Sequence, residues 1–362
     1  MRIAGREYTL KEAERRIGNL RQLGGIRHCE LFDGRARGVR AMEVTTGSGL
    51  AFTVLPDRGL DIADFSYKGV NLVYHASGGI AHPSYHDPSR SEWLRVFFGG
   101  LLTTCGLTYF GEPGRDGDED LGLHGRYSAL PATKVNDLSR WEGDEHRLEI
   151  TGTVEEAVLY GDKMRLSRRI STAVGAKGLR ITDRVENFGA RTSPLTILYH
   201  INAGFPLLDE TSELVAAASG VEPYDERATR QQAEASRFAP PKAEYESLNY
   251  LYTMAADEHG YTRAAFINRG LAGGLGLGLR YTAATIPYLS EWKMLADVDY
   301  VVGIEPVNTK IANRAELRAA GRLPTLGPGE AREMDLEISV LEGSAEIDAF
   351  CAEVKRIQGR HA

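Results

Sequence analysis

Cysteine is scarce in this chain, with three residues among 362, and Cys29, Cys105 and Cys351 stand far apart with no Cys-x-x-Cys pair. So small and scattered a set excludes a disulfide framework and a zinc knuckle, and fits a reducing cytoplasm. Long apolar runs are missing too. No stretch of about 18 apolar residues occurs, and Met1 to Leu10 mixes charged and apolar residues, so neither a membrane span nor a signal peptide is expected. Positive charge is not concentrated anywhere. The formal net charge is −7, and with Lys and Arg scattered singly there is no basic face for a phosphate backbone, which argues against a nucleic-acid partner. A fixed-period repeat and a low-complexity linker are also lacking.

What the chain does carry is mostly strand pattern. Short runs such as Leu50 to Leu55 are broken by Gly, Asp and Pro, as strands are by turns. Met164, Leu166, Ile170 and Val174 share one alternating face within Lys163 to Val174; Leu179, Ile181 and Val185 do so next, and Met334, Leu336, Ile338 and Val340 near the end. Period two means half-buried strands, and the first two stretches are expected to be neighbours in one sheet. In Gly274 to Leu279 the leucines fall on one face and the glycines on the other, where a backbone or a ligand can come close. The spacing of those glycines does not match a dinucleotide fingerprint.

Helices are few. Thr9 and Glu12 form a capping box followed by Leu10, Ala13, Ile17 and Leu20 near helical spacing, which predicts a helix over about 9–20. Ile311 to Ala320, stopped by Gly321, predicts a short one. Ser344 as cap, with Ile347, Phe350, Cys351, Val354 and Ile357 on one face, predicts a final helix over about 344–358. Gly220 to Lys242 reads as a long surface loop. All-β sandwiches often run long as one unit, so 1–362 is taken as a single domain.

Several groupings carry candidate chemistry. His82 and His86 lie in His-Pro-Ser-Tyr-His-Asp-Pro, where the prolines forbid the regular helix that would set an i, i+4 pair on one metal ion. Asp116, Asp118 and Asp120 imitate the start of a calcium loop, but Leu121 and Tyr127 occupy the positions that need Gly and Glu. No metal site is expected. His124, in Gly-Leu-His-Gly-Arg, has glycines that let the chain turn and leave the imidazole open to a ligand; a structural turn histidine gives the same pattern. His200 follows the apolar run Pro194 to Tyr199 and precedes Asn202, Gly204 and Pro206, which places it at a strand end facing a cleft, although a hydrogen-bonded core histidine fits equally. Glu305 is the strongest anomaly: a carboxylate in Tyr-Val-Val-Gly-Ile-Glu-Pro-Val-Asn, a buried-type strand, is costly unless paired or used.

These motifs resemble the aldose 1-epimerase, or galactose mutarotase-like, superfamily in a divergent branch. The segment Lys163 to Pro206 resembles its core, ending in Asp-Arg-Val-Glu-Asn-Phe-Gly and Tyr-His-Ile-Asn-Ala-Gly-Phe-Pro. His-Gly at 124–125 and Gly-Ile-Glu-Pro before Asn308 fall in the family's order. The N-terminal Leu-Pro-Asp-Arg-Gly-Leu-Asp-Ile and Gly-Gly-Leu-Leu-Thr-Thr-Cys-Gly-Leu are similar to motifs of the divergent branch. The resemblance spans roughly Val39 to Leu341.

It implies an all-β fold, a large antiparallel β-sandwich with a few short helices and a sugar in a cleft on one concave sheet. By the family pattern His200 matches the general acid, Glu305 the general base, His124 a sugar-binding partner and Arg58 an arginine that contacts sugar hydroxyls. Glu246, in Tyr-Glu-Ser-Leu-Asn-Tyr, stands where better-known members carry a hydroxyl-gripping aspartate. Arg126, Trp292 and Lys293 are further sugar-binding candidates, since planar and cationic side chains suit sugar faces and hydroxyls. The implied activity is exchange of the anomers of a free aldose by acid and base catalysis, without cofactor, in the cytoplasm, by a protein whose base-rate assembly is a homodimer. A glycosidase would need a second carboxylate that the sequence does not offer. A non-catalytic sugar-binding protein, or an enzyme acting at another carbon or on a sugar phosphate, stays open at this stage.

Overall fold

The computed structural model describes residues 2–3 and 5–360. Its frame follows from the alternation of apolar residues. Lys163–Ala173 pairs antiparallel with Gly178–Asn187, setting Leu166 opposite Val185 and Ile170 opposite Ile181, and Gly178–Asn187 pairs in turn with Ala331–Glu342. These strands form the middle of a nine-stranded sheet that also holds Glu145–Ala157, Leu275–Thr282, Tyr261–Asn268 and Ser212–Ala216. Facing it is a six-stranded antiparallel sheet in the order Ala218–Pro223, Leu248–Met254, Tyr288–Leu295, Tyr300–Val307, Thr196–Gly204, Thr103–Leu107. A five-stranded sheet from Gly25–Glu30 to Val70–Asn71 joins the edge of the latter through the bridges Ile62–Leu102 and Val73–Ala203. One apolar cluster runs through all three, including Phe52, Leu166, Ile181, Ile201, Ile304 and Leu336. Each such side chain contributes roughly 1.5–3 kcal/mol on burial.

The inward register of the central strands also carries charge. Arg168 alternates with Leu166 and Ile170 and points into the core, where its guanidinium contacts Asp61 at 2.9 Å and Asp183 at 2.7 Å, with all three side chains fully buried. Thr104 and Tyr199 complete the network: Thr104 Oγ1 donates to Asp61 and Tyr199 Oη to Asp183. Burial pushes the Asp61 carboxyl up to about 6, with Arg168 and Thr104 pulling it back. The network joins the nine-stranded sheet to the strands Thr103–Leu107 and Thr196–Gly204.

Several local expectations need correction. The N-terminal helix is Leu10–Glu14 alone. Its Thr9 and Glu12 capping box is present, but Asn19 caps a separate short turn, Leu20–Gln22. The last helix, Gly343–Gln358, starts after Glu342, so Ser344 lies inside it. Its predicted face is the packed one, with Ile347, Val354 and Ile357 buried. It also explains one glycine of the strand Leu275–Thr282: a Cβ on Gly278 would press on Phe350 of that helix, and one on Gly276 on Ile267 of the neighbouring strand, so other elements of the chain, not a ligand, come close. The presumed loop 220–242 instead holds the edge strand Ala218–Pro223 and a short helix, Glu226–Arg230. No helix among the described residues is long and apolar enough to cross a membrane.

Candidate active site

The six-stranded sheet has two faces, and strand parity sorts residues between them. Tyr199, Ile201, Val302 and Ile304 point into the inter-sheet core. Leu198 and Val307 point the other way, with Cys105 of the edge strand, into a separate cluster with Trp93, Phe97, Phe110 and Leu123 from the segments that cover this face. His200 and Glu305 share that second parity. The pairing of Leu198 with Val307 and of Ile201 with Ile304 sets them opposite each other on adjacent strands. Thr103 flanks His200 and Ser290 flanks Glu305, so Thr103, His200, Glu305 and Ser290 form one cross-strand row. His200 lies in mid-strand rather than at a strand end, because pairing continues to Gly204.

His200 Nε2 is 3.1 Å from Glu305 Oε1, and each residue is 3 % exposed. The two atoms are close without the alignment of a hydrogen bond, so Oε1 keeps a free acceptor position, and His200 Nδ1 has no partner either. Gly303 is part of this geometry. A Cβ there would collide with Glu305 Oε1 and approach His200 Cε1 to 3.2 Å. Only glycine allows the carboxyl to lean over the sheet toward the imidazole.

Around the pair the walls are aromatic. His200 has Phe97 at 5.3 Å, Trp292 at 5.5 Å, His124 at 5.6 Å and Trp93 at 6.2 Å between ring centroids. His124 adopts a left-handed backbone (φ 58°), which turns its ring onto Trp93 at 4.7 Å. His124 and Trp292 are half-buried and form the more open side of the site. Burial pushes Glu305 up to about 8, Ser290 opposing this and the charge of Glu291 adding to it. Burial also lowers His200 to about 3, with His124 contributing, and His124 itself to about 4. The buried atoms His124 Nδ1, His200 Nδ1 and Glu305 Oε1 make no well-aligned hydrogen bond, while the Ser290 hydroxyl stands beside Glu305 and the Asn202 amide beside His200. So many unmet polar atoms in one place are what a polar ligand or ordered water would satisfy.

Other residues chosen from sequence sit elsewhere. Arg58 is 1 % exposed and spends its guanidinium on the carbonyls of Ser128, Ala81 and Val96. Three of its five N–H donors are spent in this way and the rest are buried with it, so it pins the segments that carry Trp93, Phe97 and His124. Lys293, one residue from Trp292, faces the opposite side of the sheet, donating to the carbonyls of Glu234, Ala235 and Arg237 beside Glu291. Glu246 is exposed and ion-paired with Arg227. In its segment the residue with the site's parity is Asn249, across from Trp292. Arg126 is exposed and lines a groove of about 490 Å³ with Glu156 and Arg191, away from the His200–Glu305 row. Asn202, Ser290 and Gly303 were missed; Asn202 and Gly303 are signalled only by standing two residues from His200 and Glu305, and Ser290 only by a cross-strand pairing with Glu305 that the sequence does not show.

His82 caps a turn by accepting from Ser84, and Asp116 binds Arg314 and Arg318. Among the described residues no group of three or more His, Cys, Asp or Glu is placed to hold a metal ion.

This sandwich has the fold of solved galactose mutarotase-like proteins. A candidate aldose 1-epimerase from Klebsiella pneumoniae superposes with a TM-score of 0.88 at 23 % identity, over 93 % of this chain and 88 % of its own. A galactose mutarotase-like protein from Clostridium acetobutylicum gives 0.62 at 15 % identity over 88 % and 99 %, and a galactose 1-epimerase from Lactobacillus acidophilus 0.59 at 11 % over 88 % and 99 %. Residues 36–340 match the family described as "Domain of unknown function (DUF4432)", and the chain belongs to that family. No curated protein matches it by sequence.

Proposed function

We propose that the protein is a mutarotase, an isomerase that interconverts the anomers of a free aldose through His200 and Glu305. The observation that carries this reading is the 3.1 Å contact of a histidine and a glutamate, both nearly buried, beside unmet polar atoms. Ring opening removes a proton from the anomeric hydroxyl and gives one to the ring oxygen. Those two oxygens share one carbon, so an acid and a base standing side by side on one sheet face can serve both.

A pair that holds one proton supplies one donor and one acceptor. In the empty site burial keeps that proton on Glu305 and leaves His200 neutral. The family roles, His200 as acid and Glu305 as base, follow once the proton passes across the contact. Donor and acceptor then exchange roles between opening and closure. Each positioned proton transfer supplies roughly 10² to 10⁴ in rate. His124 and Trp292 line the open side, where a ring face stacks and a hydroxyl finds a partner.

Exchange spectroscopy of anomeric protons over a panel of free aldoses tests the reading. Accelerated exchange for at least one sugar is expected; spontaneous rates throughout would overturn it.

A further inference from the structure

The surroundings of the acid–base pair are more apolar than a sugar with a full set of hydroxyls requires. Phe97, Trp292 and Trp93 stand 5.3, 5.5 and 6.2 Å from the His200 ring, and Trp93 stacks on Phe97 at 4.6 Å. Trp93 has spent its indole N–H on the Ser128 hydroxyl at 3.0 Å, and Phe97 has no polar atom to offer, so these two rings form a wall without donor or acceptor. Phe110 and Leu123 back it. Of the rings around His200, His124 and Trp292 keep hydrogen-bonding nitrogens, and both lie on the more open side. Charge is scarcer still. Among the described residues no arginine, lysine or aspartate acts on His124, His200 or Glu305: their proton affinities answer to burial, to His124, to Ser290 and Asn202, and to Glu291, which pairs with Ile304 and so faces the inter-sheet core.

With the anomeric hydroxyl and the ring oxygen held by the pair, the carbons that follow are C2, bonded to the anomeric carbon, and C5, bonded to the ring oxygen. A hydroxyl pressed on the Trp93–Phe97 wall gives up water and finds no partner, whereas a C–H or methyl group packs well on an aromatic face. We propose that one of these two carbons lies against that wall, and that the substrate is therefore a deoxyaldose, with hydrogen in place of hydroxyl at C2 or at C6, the carbon borne by C5. The inference rests on the mutarotase reading for the way the sugar lies, and its affinity measurement does not require turnover.

Anomer exchange, corrected for the spontaneous rate, and sugar affinity are measured on the full chain for aldohexoses and their 2-deoxy and 6-deoxy counterparts. One deoxy series should exceed its parents by about ten- to hundredfold in kcat/KM and in affinity, the range in which an apolar pocket rejects an added hydroxyl. Phe97→Ala should let water reach that hydroxyl and bring the deoxy-to-parent ratio toward one. Should it not fold, Phe97→Leu opens the wall less and should move the ratio in the same direction. The ratio is the informative readout, because a loosened site loses parent and deoxy sugar alike. Parents handled as well as, or better than, both deoxy series would overturn the proposal, and so would an unchanged ratio in the folded variants. If no exchange is accelerated, the acid–base reading fails, and the affinity ratios alone decide the substrate class. Failure to bind any of these sugars would overturn both.

Discussion

His200 Nε2 and Glu305 Oε1 stand 3.1 Å apart on neighbouring strands, in contact rather than on opposite sides of a gap wide enough for a sugar ring. The substrate therefore lies over the pair. Burial disfavours either charge, lowering His200 to about 3 and raising Glu305 to about 8, so between those values the pair holds one proton. Above about 8 that proton is lost and no donor remains. We expect kcat/KM for anomer exchange to fall as pH rises through about 8. A profile still flat at pH 9 to 10 would contradict a single shared proton.

Substitution of either partner removes half of the chemistry. Glu305→Gln keeps the size of the side chain, and His200→Asn keeps a polar group in the row; each should lower exchange by about 10² or more while sugar binding largely persists. Native exchange rates in both folded variants would remove the basis of the proposed mechanism.

Glu305 should also weaken the fold that holds it. Its folded pKa of about 8 lies above the ordinary value of 4.5, so between those values the unfolded chain binds fewer protons and stability falls as pH rises. Below about pH 4.5 both states are protonated and the effect vanishes. Glu305→Gln should therefore unfold at a higher temperature than the unaltered protein at pH 8, with the advantage shrinking toward pH 5. Thermal midpoints at the two pH values check this, and a variant less stable at pH 8 would oppose it.

How much of this was legible in the sequence depends on strand parity. The alternating faces of Lys163–Ala173 and Gly178–Asn187 exposed the sandwich because most of their inward residues are apolar. Arg168 and Asp183 follow the same parity, yet nothing local tells that each meets its opposite charge from another strand. Glu305 was visible as a carboxylate in an otherwise apolar strand. Trp292 and Lys293 looked alike as candidates, but adjacent strand residues face opposite ways, and only the pairing of Trp292 with Gly303 assigns the tryptophan to the site. Glu246 and Asn249 were separated for a similar reason, with Glu246 lying outside the strand that begins at Leu248. Arg58 was read as a ligand contact from its match to the family's early arginine, and its motif gives no sign of the three carbonyls it meets.

The buried charge network makes a stability prediction that leaves the acid–base pair untouched. Arg168→Met would keep an apolar stem but leave Asp61 and Asp183 without their cation. Breaking a buried pair from one side costs about 3–5 kcal/mol, and two carboxylates are stranded here. Denaturant titration should show a loss of that order; one below about 1 kcal/mol would mean that water or protonation of Asp61 compensates.

Gly303 provides the most selective test of the geometry. Its backbone is ordinary strand, so alanine meets no conformational barrier there, and the space its Cβ would enter belongs to Glu305 Oε1, with His200 Cε1 at 3.2 Å. The carboxyl can swing aside, but only by leaving the imidazole. Gly303→Ala should fold with a thermal midpoint close to that of the unaltered protein and exchange anomers about 10² more slowly, because displacing a catalytic group by about an ångström carries that penalty. Gly276, which a Cβ would bring against Ile267 and the Phe266 carbonyl on the nine-stranded sheet, gives the converse control: Gly276→Ala should cost stability before it costs rate. If Gly303→Ala exchanges at the native rate, the lean of Glu305 toward His200 is not required for turnover, and the pair must act from a more open arrangement.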